Sequence, residues 1–216
     1  MQVSLSLFDF ITETVSMFAS FLVAFMGYKA YKLTSEKRHK YFAVSFSIIG
    51  LSFFVLLLTN LVLLFQTNLA NLFSAFNRGY FVYSLLITIG YIVLAILSLN
   101  LDNKAALFLF LTVIISFILS LDNALLFHLL TTLALLFVVP SFFSNYRSKK
   151  TTLSFLVFIS FVFMLIAHAL LIFINYSNIM YNISNIIQLV GFAILFYVII
   201  RCLLNARKKN KTRNRK

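Results

Sequence analysis

Charged residues are scarce along this chain, and where they fall divides it into apolar stretches. Seven such stretches, at about 6–31, 41–65, 80–101, 105–121, 124–145, 152–174 and 180–204, are separated by short segments that hold nearly all of the Lys and Arg. At about 1.5 Å per residue, stretches of roughly 20 residues are long enough to cross the roughly 30 Å hydrocarbon layer as helices. Only helices and closed barrels satisfy every backbone polar group there. The pattern therefore predicts an all-α membrane protein, a bundle of seven transmembrane helices. The fourth stretch is the shortest, and only Asp122-Asn123 parts it from the fifth. One long or re-entrant segment over 105–145 is the alternative; two spans let the flanking charges alternate.

Within the stretches, polar and small residues recur at helical spacing. The first carries Glu13, Ser16, Ser20, Ala24 and Gly27; the third carries Ser84, Thr88, Tyr91 and Ala95; the seventh carries Asn185, Gln188 and Gly191. In lipid such stripes mark the faces that helices turn to each other.

Composition agrees. The chain has 216 residues, is 62% hydrophobic and 11% charged, and its mean hydropathy is +1.01. The single cysteine, Cys202, excludes an internal disulfide and all-cysteine metal sites, and reads as an ordinary helix residue. A net charge of +13 suggests a nucleic-acid partner until its placement is considered. Of the 18 basic residues, 17 lie in the segments after the first, third, fifth and seventh stretches or, as Lys29 and Arg201 do, near the adjoining ends of those stretches, and only Arg78 lies on the other side. The positive-inside rule then puts the N-terminus outside and the C-terminus in the cytoplasm, as expected for a multi-pass protein of the cell membrane, and no nucleic acid is expected. No Lys or Arg precedes the first apolar run, so a retained anchor is expected rather than a cleaved signal peptide. Tyr28, Tyr31, Tyr41 and Tyr146 fall near the inner interface, and Tyr80, Tyr83, Tyr176 and Tyr181 near the outer one, where amphipathic rings belong. Residues 1–204 are read as one domain and 205–216 as a basic cytoplasmic tail, which serves as a topology signal near anionic lipid and offers a docking site for a cytoplasmic or membrane protein. Asn175-Tyr176-Ser177 and Asn182-Ile183-Ser184 fit the glycan acceptor pattern but sit close to the membrane.

Ionisable and amide side chains inside a membrane are costly and so are functional candidates. Glu13, Asn60, His128, His168 and Gln188 all fall in the outer half of their spans. Three readings are open: a hydrogen-bonded network that holds the bundle together; an outward-facing pocket for a small polar or cationic solute, with Glu13 as anionic contact and the histidines as donors or titrating groups; and a metal-dependent hydrolytic centre with Glu13, His128 and His168 on zinc. No two metal ligands share a helix at a chelating spacing. No P-loop, nucleophile elbow or kinase signature is present. No cofactor and no enzymatic activity are expected.

Residues 60–65, NLVLLF, align with 168–173, HALLIF, and at that offset Ser52-Phe53 meets Ser160-Phe161; Gly90 and Gly191 fall in corresponding helices. This suggests two three-helix units joined by a linker helix, a 3+1+3 repeat. That topology resembles the small sugar transporters built on three-plus-one-plus-three helices, but their proline kinks are missing, since Pro140 is the sole proline. The seven-helix, N-out arrangement also resembles the microbial rhodopsins in architecture alone: Ile179 to Leu204 holds no lysine for a retinal Schiff base. The leading expectation is a small non-enzymatic solute-handling module, a transporter or ligand-binding sensor. The alternative is a structural or assembly subunit that presents its basic tail.

Overall fold

The computed structural model describes residues 7–65, 69–99, 103–119, 124–173 and 178–213. They form seven helices: α1 (Leu7–Thr34), α2 (Lys37–Phe65), α3 (Leu69–Leu99), α4 (Asn103–Leu119), α5 (Ala124–Lys149), α6 (Thr152–Leu171) and α7 (Asn178–Arg213). Two of them outrun their apolar stretches. α3 starts at Leu69 because no Gly or Pro interrupts 69–78. α7 continues into the basic tail as far as Arg213, so residues 205–213 are helical. Lys and Arg are good helix formers, and their charge complements the C-terminal end of a helix dipole.

Six helices are long and apolar enough to cross a membrane, with candidate spans Phe10–Thr34, Lys37–Phe65, Arg78–Leu99, Leu125–Lys149, Thr152–Leu171 and Ile179–Cys202. Where a fourth span is expected the chain forms α4, a helix of 17 residues that is not among these six.

Those six helices close a ring in the order α1, α2, α3, α5, α6, α7 and back to α1. The pairs α1–α2, α2–α3, α5–α6 and α6–α7 run antiparallel. Glu13 meets Asn60, Phe21 meets Gly50, and Ala43 meets Gly27 along α1 and α2. Tyr146 meets Phe155 and Phe142 stacks on Phe161 along α5 and α6. The α3–α5 pair differs. Tyr80 lies against Phe127 and Thr88 against Thr131, so residue numbers rise together and the two helices are parallel. The chain must therefore climb back from the end of α3 to the start of α5. α4, about 25 Å long at 1.5 Å per residue, lies outside the ring against α3 and α5 and exposes Leu107, Phe108, Leu111 and Ile115.

Aromatic rings fill the middle of the ring of helices. Phe46 of α2 meets Phe161 of α6 edge-on at 6.1 Å, and Phe53 of α2 meets Phe192 of α7 at 5.2 Å and 88°. Phe46, Phe161 and Phe192 are fully buried. Edge-to-face contacts of this kind are favoured by the ring quadrupoles. Close approach of α2 and α3 depends on glycine: a Cβ on Gly79 would overlap the Thr59 side chain, and one on Gly90 would lie 2.5 Å from Ile49 Cγ1. Gly90 abuts the Ser45 carbonyl, ten residues after Ser35, and Gly191 abuts the Ser160 carbonyl, ten residues after Lys150. The two glycines that the sequence pairs thus sit at the same depth.

The α1–α2 and α5–α6 turns share one geometry. Ser35 (φ 57°) and Lys150 (φ 49°) take the left-handed conformation, and their amides donate to the carbonyls of Tyr31 and Tyr146 at 2.8 and 2.7 Å. This is the single-bond helix stop in which one residue reverses the chain. The registers gather both turns, the end of α3 and the C-terminal part of α7 at one end of the bundle. That end carries Lys29, Lys32, Lys37, Arg38, Lys40, Lys104, Arg147, Lys149, Lys150 and Arg201. Lys32 lies over the Tyr28 ring at 5.0 Å, and Arg201 donates from Nε to the Tyr197 hydroxyl at 2.8 Å, so Tyr197 finds its partner on its own helix.

Candidate functional site

Most hydroxyls inside the bundle satisfy themselves within their own helix. Ser45, Thr59, Thr88 and Thr131 donate to the carbonyl four residues back, and Ser52, Ser84 and Ser160 to the one three residues back. Such bonds answer the absence of water in lipid without tying helices together. Contacts that cross between helices are therefore informative, and they involve the candidate residues.

On α1, Thr12, Glu13, Ser16, Ala19, Ser20, Val23 and Ala24 form the buried stripe. Glu13 is 7% exposed, and its Oε1 accepts a hydrogen bond from Asn60 Nδ2 at 2.6 Å. This is a charge-assisted bond between adjacent helices, with the carboxylate as acceptor. Asn60 is 7% exposed and turns inward because Thr59 and Leu63, its neighbours on the same face, are buried against the rest of the ring.

The second pair joins α5 and α6. His128 and His168 are 3% and 1% exposed, with ring centroids 6.1 Å apart. The Tyr91 ring of α3 meets His168 edge-on at 5.5 Å, and its hydroxyl lies 3.9 Å from Met164 Sδ. His128 Nε2 faces the Tyr80 hydroxyl at 3.4 Å. His128 Nδ1 and both ring nitrogens of His168 have no protein partner, and neither do the hydroxyls of Ser16 and Ser20.

α3 lies between the two pairs. Tyr83, 7% exposed, packs on Tyr80 at 5.7 Å and on Phe53 of α2 at 5.8 Å. Of the two tyrosines expected near the outer interface, Tyr83 is buried within the bundle and Tyr80 is half-buried against it. Tyr83 is turned in because it shares the helix face of Ile87, Thr88 and Tyr91. The spacing of 80, 84, 88 and 91 extends the stripe that the sequence shows, so Tyr80 was legible one turn further out.

Gln188 is buried at 4% on the face of α7 that meets α6, between Ser184, which donates to the Ala167 carbonyl at 2.8 Å, and Gly191. No hydrogen bond joins it to the other four candidates. The five are not at one depth. Glu13 lies 22 residues before Ser35 and His128 lies 22 residues before Lys150, but Asn60 follows Ser35 by 25 residues and His168 follows Lys150 by only 18. At 1.5 Å per residue His168 sits about 10 Å deeper than Asn60.

Among the described residues no three of His, Cys, Asp and Glu come together as metal ligands, so the zinc triad of Glu13, His128 and His168 is not formed. Glu13 is committed to the α1–α2 side and the histidines to the α5–α6 side. A surface groove of about 220 Å³ runs along α2 between Val55, Leu58, Thr59 and Val62.

Replacing Asn60 by Leu leaves the carboxyl of Glu13 without its amide donor and is expected to destabilise the protein by roughly 1.5–3 kcal/mol. Adding Glu13→Gln to that variant is expected to recover part of the loss, because a neutral amide is cheaper to bury than a carboxylate. Unfolding in detergent, followed for the two single variants and the double, measures both.

Comparison with known proteins adds no assignment: no family model, no curated protein and no solved structure matches this chain.

Proposed function

We propose that the protein is a small, non-enzymatic solute-handling module of the cell membrane, a transporter or ligand-binding sensor with its polar site in the outer half of the bundle. The observation that carries this reading is a buried carboxylate, Glu13 hydrogen-bonded to Asn60, in the same bundle as a buried histidine pair. Each of these groups is expensive to hold in a membrane interior, and a chain that needed only a packed bundle gains more from apolar side chains. Glu13 supplies the anionic contact for a small polar or cationic solute. Asn60, His128, His168 and Gln188 supply donors and acceptors around it.

In this reading α4 is the seventh span, which returns the chain between parallel α3 and α5. The N-terminus is outside and the basic end of the bundle is cytoplasmic. α1–α3 and α5–α7 form the two halves of a 3+1+3 repeat. The ring order supports it, because the α3–α5 junction of one half corresponds to the α7–α1 junction of the other. So do the matching turns, each with a tyrosine four residues before the left-handed residue.

The packed aromatic centre and the helical extension of α7 to Arg213 favour the other reading, an assembly subunit that docks through its basic end. A panel of small inorganic and organic cations, tested for uptake or binding in cells that express the protein, separates the two. The expected result is accumulation or retention of at least one cation that Glu13→Gln lowers about tenfold or more, the effect of losing one charge-assisted contact, at unchanged protein level. No effect on any cation, with co-purification of a stoichiometric partner that is lost when residues 205–216 are removed, overturns it.

Orientation is tested separately. In a Cys202→Ser background, a cysteine at Phe173 is expected to react with a membrane-impermeant thiol reagent in intact cells, and one at Glu36 only after permeabilisation. The reverse pattern inverts the topology.

A further inference from the structure

We propose that His128 and His168 bind a soft monovalent metal ion, cuprous copper, with the thioether of Met164 as third donor. This goes beyond solute handling, since a resident ion in this place does not require that the protein move anything.

The first support is the state of the ring nitrogens. A neutral imidazole has one donor and one acceptor, and each needs a partner when buried. Three of the four nitrogens in the pair have none from the protein. The fourth, His128 Nε2, faces the Tyr80 hydroxyl. With the proton on Nε2 pointed at the Tyr80 oxygen, the lone pair of His128 sits on Nδ1, the usual arrangement in which a second shell holds a ligating histidine.

The second support is spacing. A metal about 2.0 Å from each of two nitrogens, with each ring centroid about 1.2 Å further back, holds the centroids at most about 6.4 Å apart; tetrahedral angles bring them to about 5 Å. The observed 6.1 Å matches the wide angle of a two-coordinate or distorted three-coordinate ion. Cuprous copper adopts such geometry, and tetrahedral zinc does not.

The third support is the chemistry around the pair. Met164 is fully buried one turn inward of His168 on the same face of α6, and the Tyr91 side chain touches both. A thioether selects soft ions. No carboxylate or thiolate joins the pair among the described residues, so the donor set is neutral. A neutral set in a low-dielectric interior accepts a single positive charge far more readily than two.

The test uses the full-length protein in detergent, under anaerobic conditions, titrated with cuprous ion against a chromogenic chelator. One ion per chain is expected. Binding is expected to be lost in His128→Ala and His168→Ala and weakened about tenfold or more in Met164→Leu, a volume-conserving change. Should the histidine variants fail to fold, Met164→Leu and X-ray absorption on the wild type decide: two nitrogens and one sulfur at bonding distance sustain the proposal. No retention against the chelator, stoichiometry unchanged in His168→Ala, displacement by equimolar zinc, or a sulfur-free shell overturns it. Glu13→Gln is expected to bind copper normally, so a failure here and a failure of the solute reading are distinguishable.

Discussion

A polar side chain carried into hydrocarbon loses its water and gains nothing from lipid, so its hydrogen bonds must come from the protein or from something the protein encloses. The organisation of this chain follows from that constraint. Most hydroxyls turn back to a carbonyl of their own helix, whereas Ser184 reaches across to α6 and Ser16 and Ser20 find no protein partner. Tyr197 finds Arg201 one turn away. The residues that cannot be satisfied locally, a carboxylate, an amide and two imidazoles, are turned to the interior and placed where another helix meets them.

The same constraint sets the helix order. α3 and α5 run parallel because Tyr80, Phe127 and His128 must be neighbours while Thr88 meets Thr131. Two parallel neighbours require a returning segment, and α4 is that segment. It has little left to pack against and shows its apolar side chains outward, as lipid-facing helices do. Toward the basic end, the interior is closed by Phe46, Phe142 and Phe161, which need no polar partner. The interior is thus divided into an aromatic region beside the basic end and a more polar one away from it.

The helices were legible in the sequence because a membrane interior tolerates so few residue types, although α3 and α7 run beyond the apolar stretches that announce them. The burial of all five candidates was legible for the same reason. Their grouping was not. Whether Glu13 meets Asn60 or His168 depends on how far each helix is rotated about its axis and on where its turn falls, and neither leaves a mark in composition. The alignment of Asn60 with His168 matched letters, yet α6 reaches His168 seven residues sooner after its turn than α2 reaches Asn60. Tyr83 was assigned to the interface by residue type, whereas the stripe through Thr88 and Tyr91 carries it inside.

The central claim is that the buried ring nitrogens of His168 are satisfied by something held inside the bundle. A structure determined in lipid, at a resolution that shows ordered waters and ions, tests it directly. The account predicts a density peak within hydrogen-bonding or metal-ligand distance of a His168 ring nitrogen, enclosed by Tyr91, His128 and Met164. A dry site in which both nitrogens bond to protein groups, or a His168 turned to lipid, would contradict it.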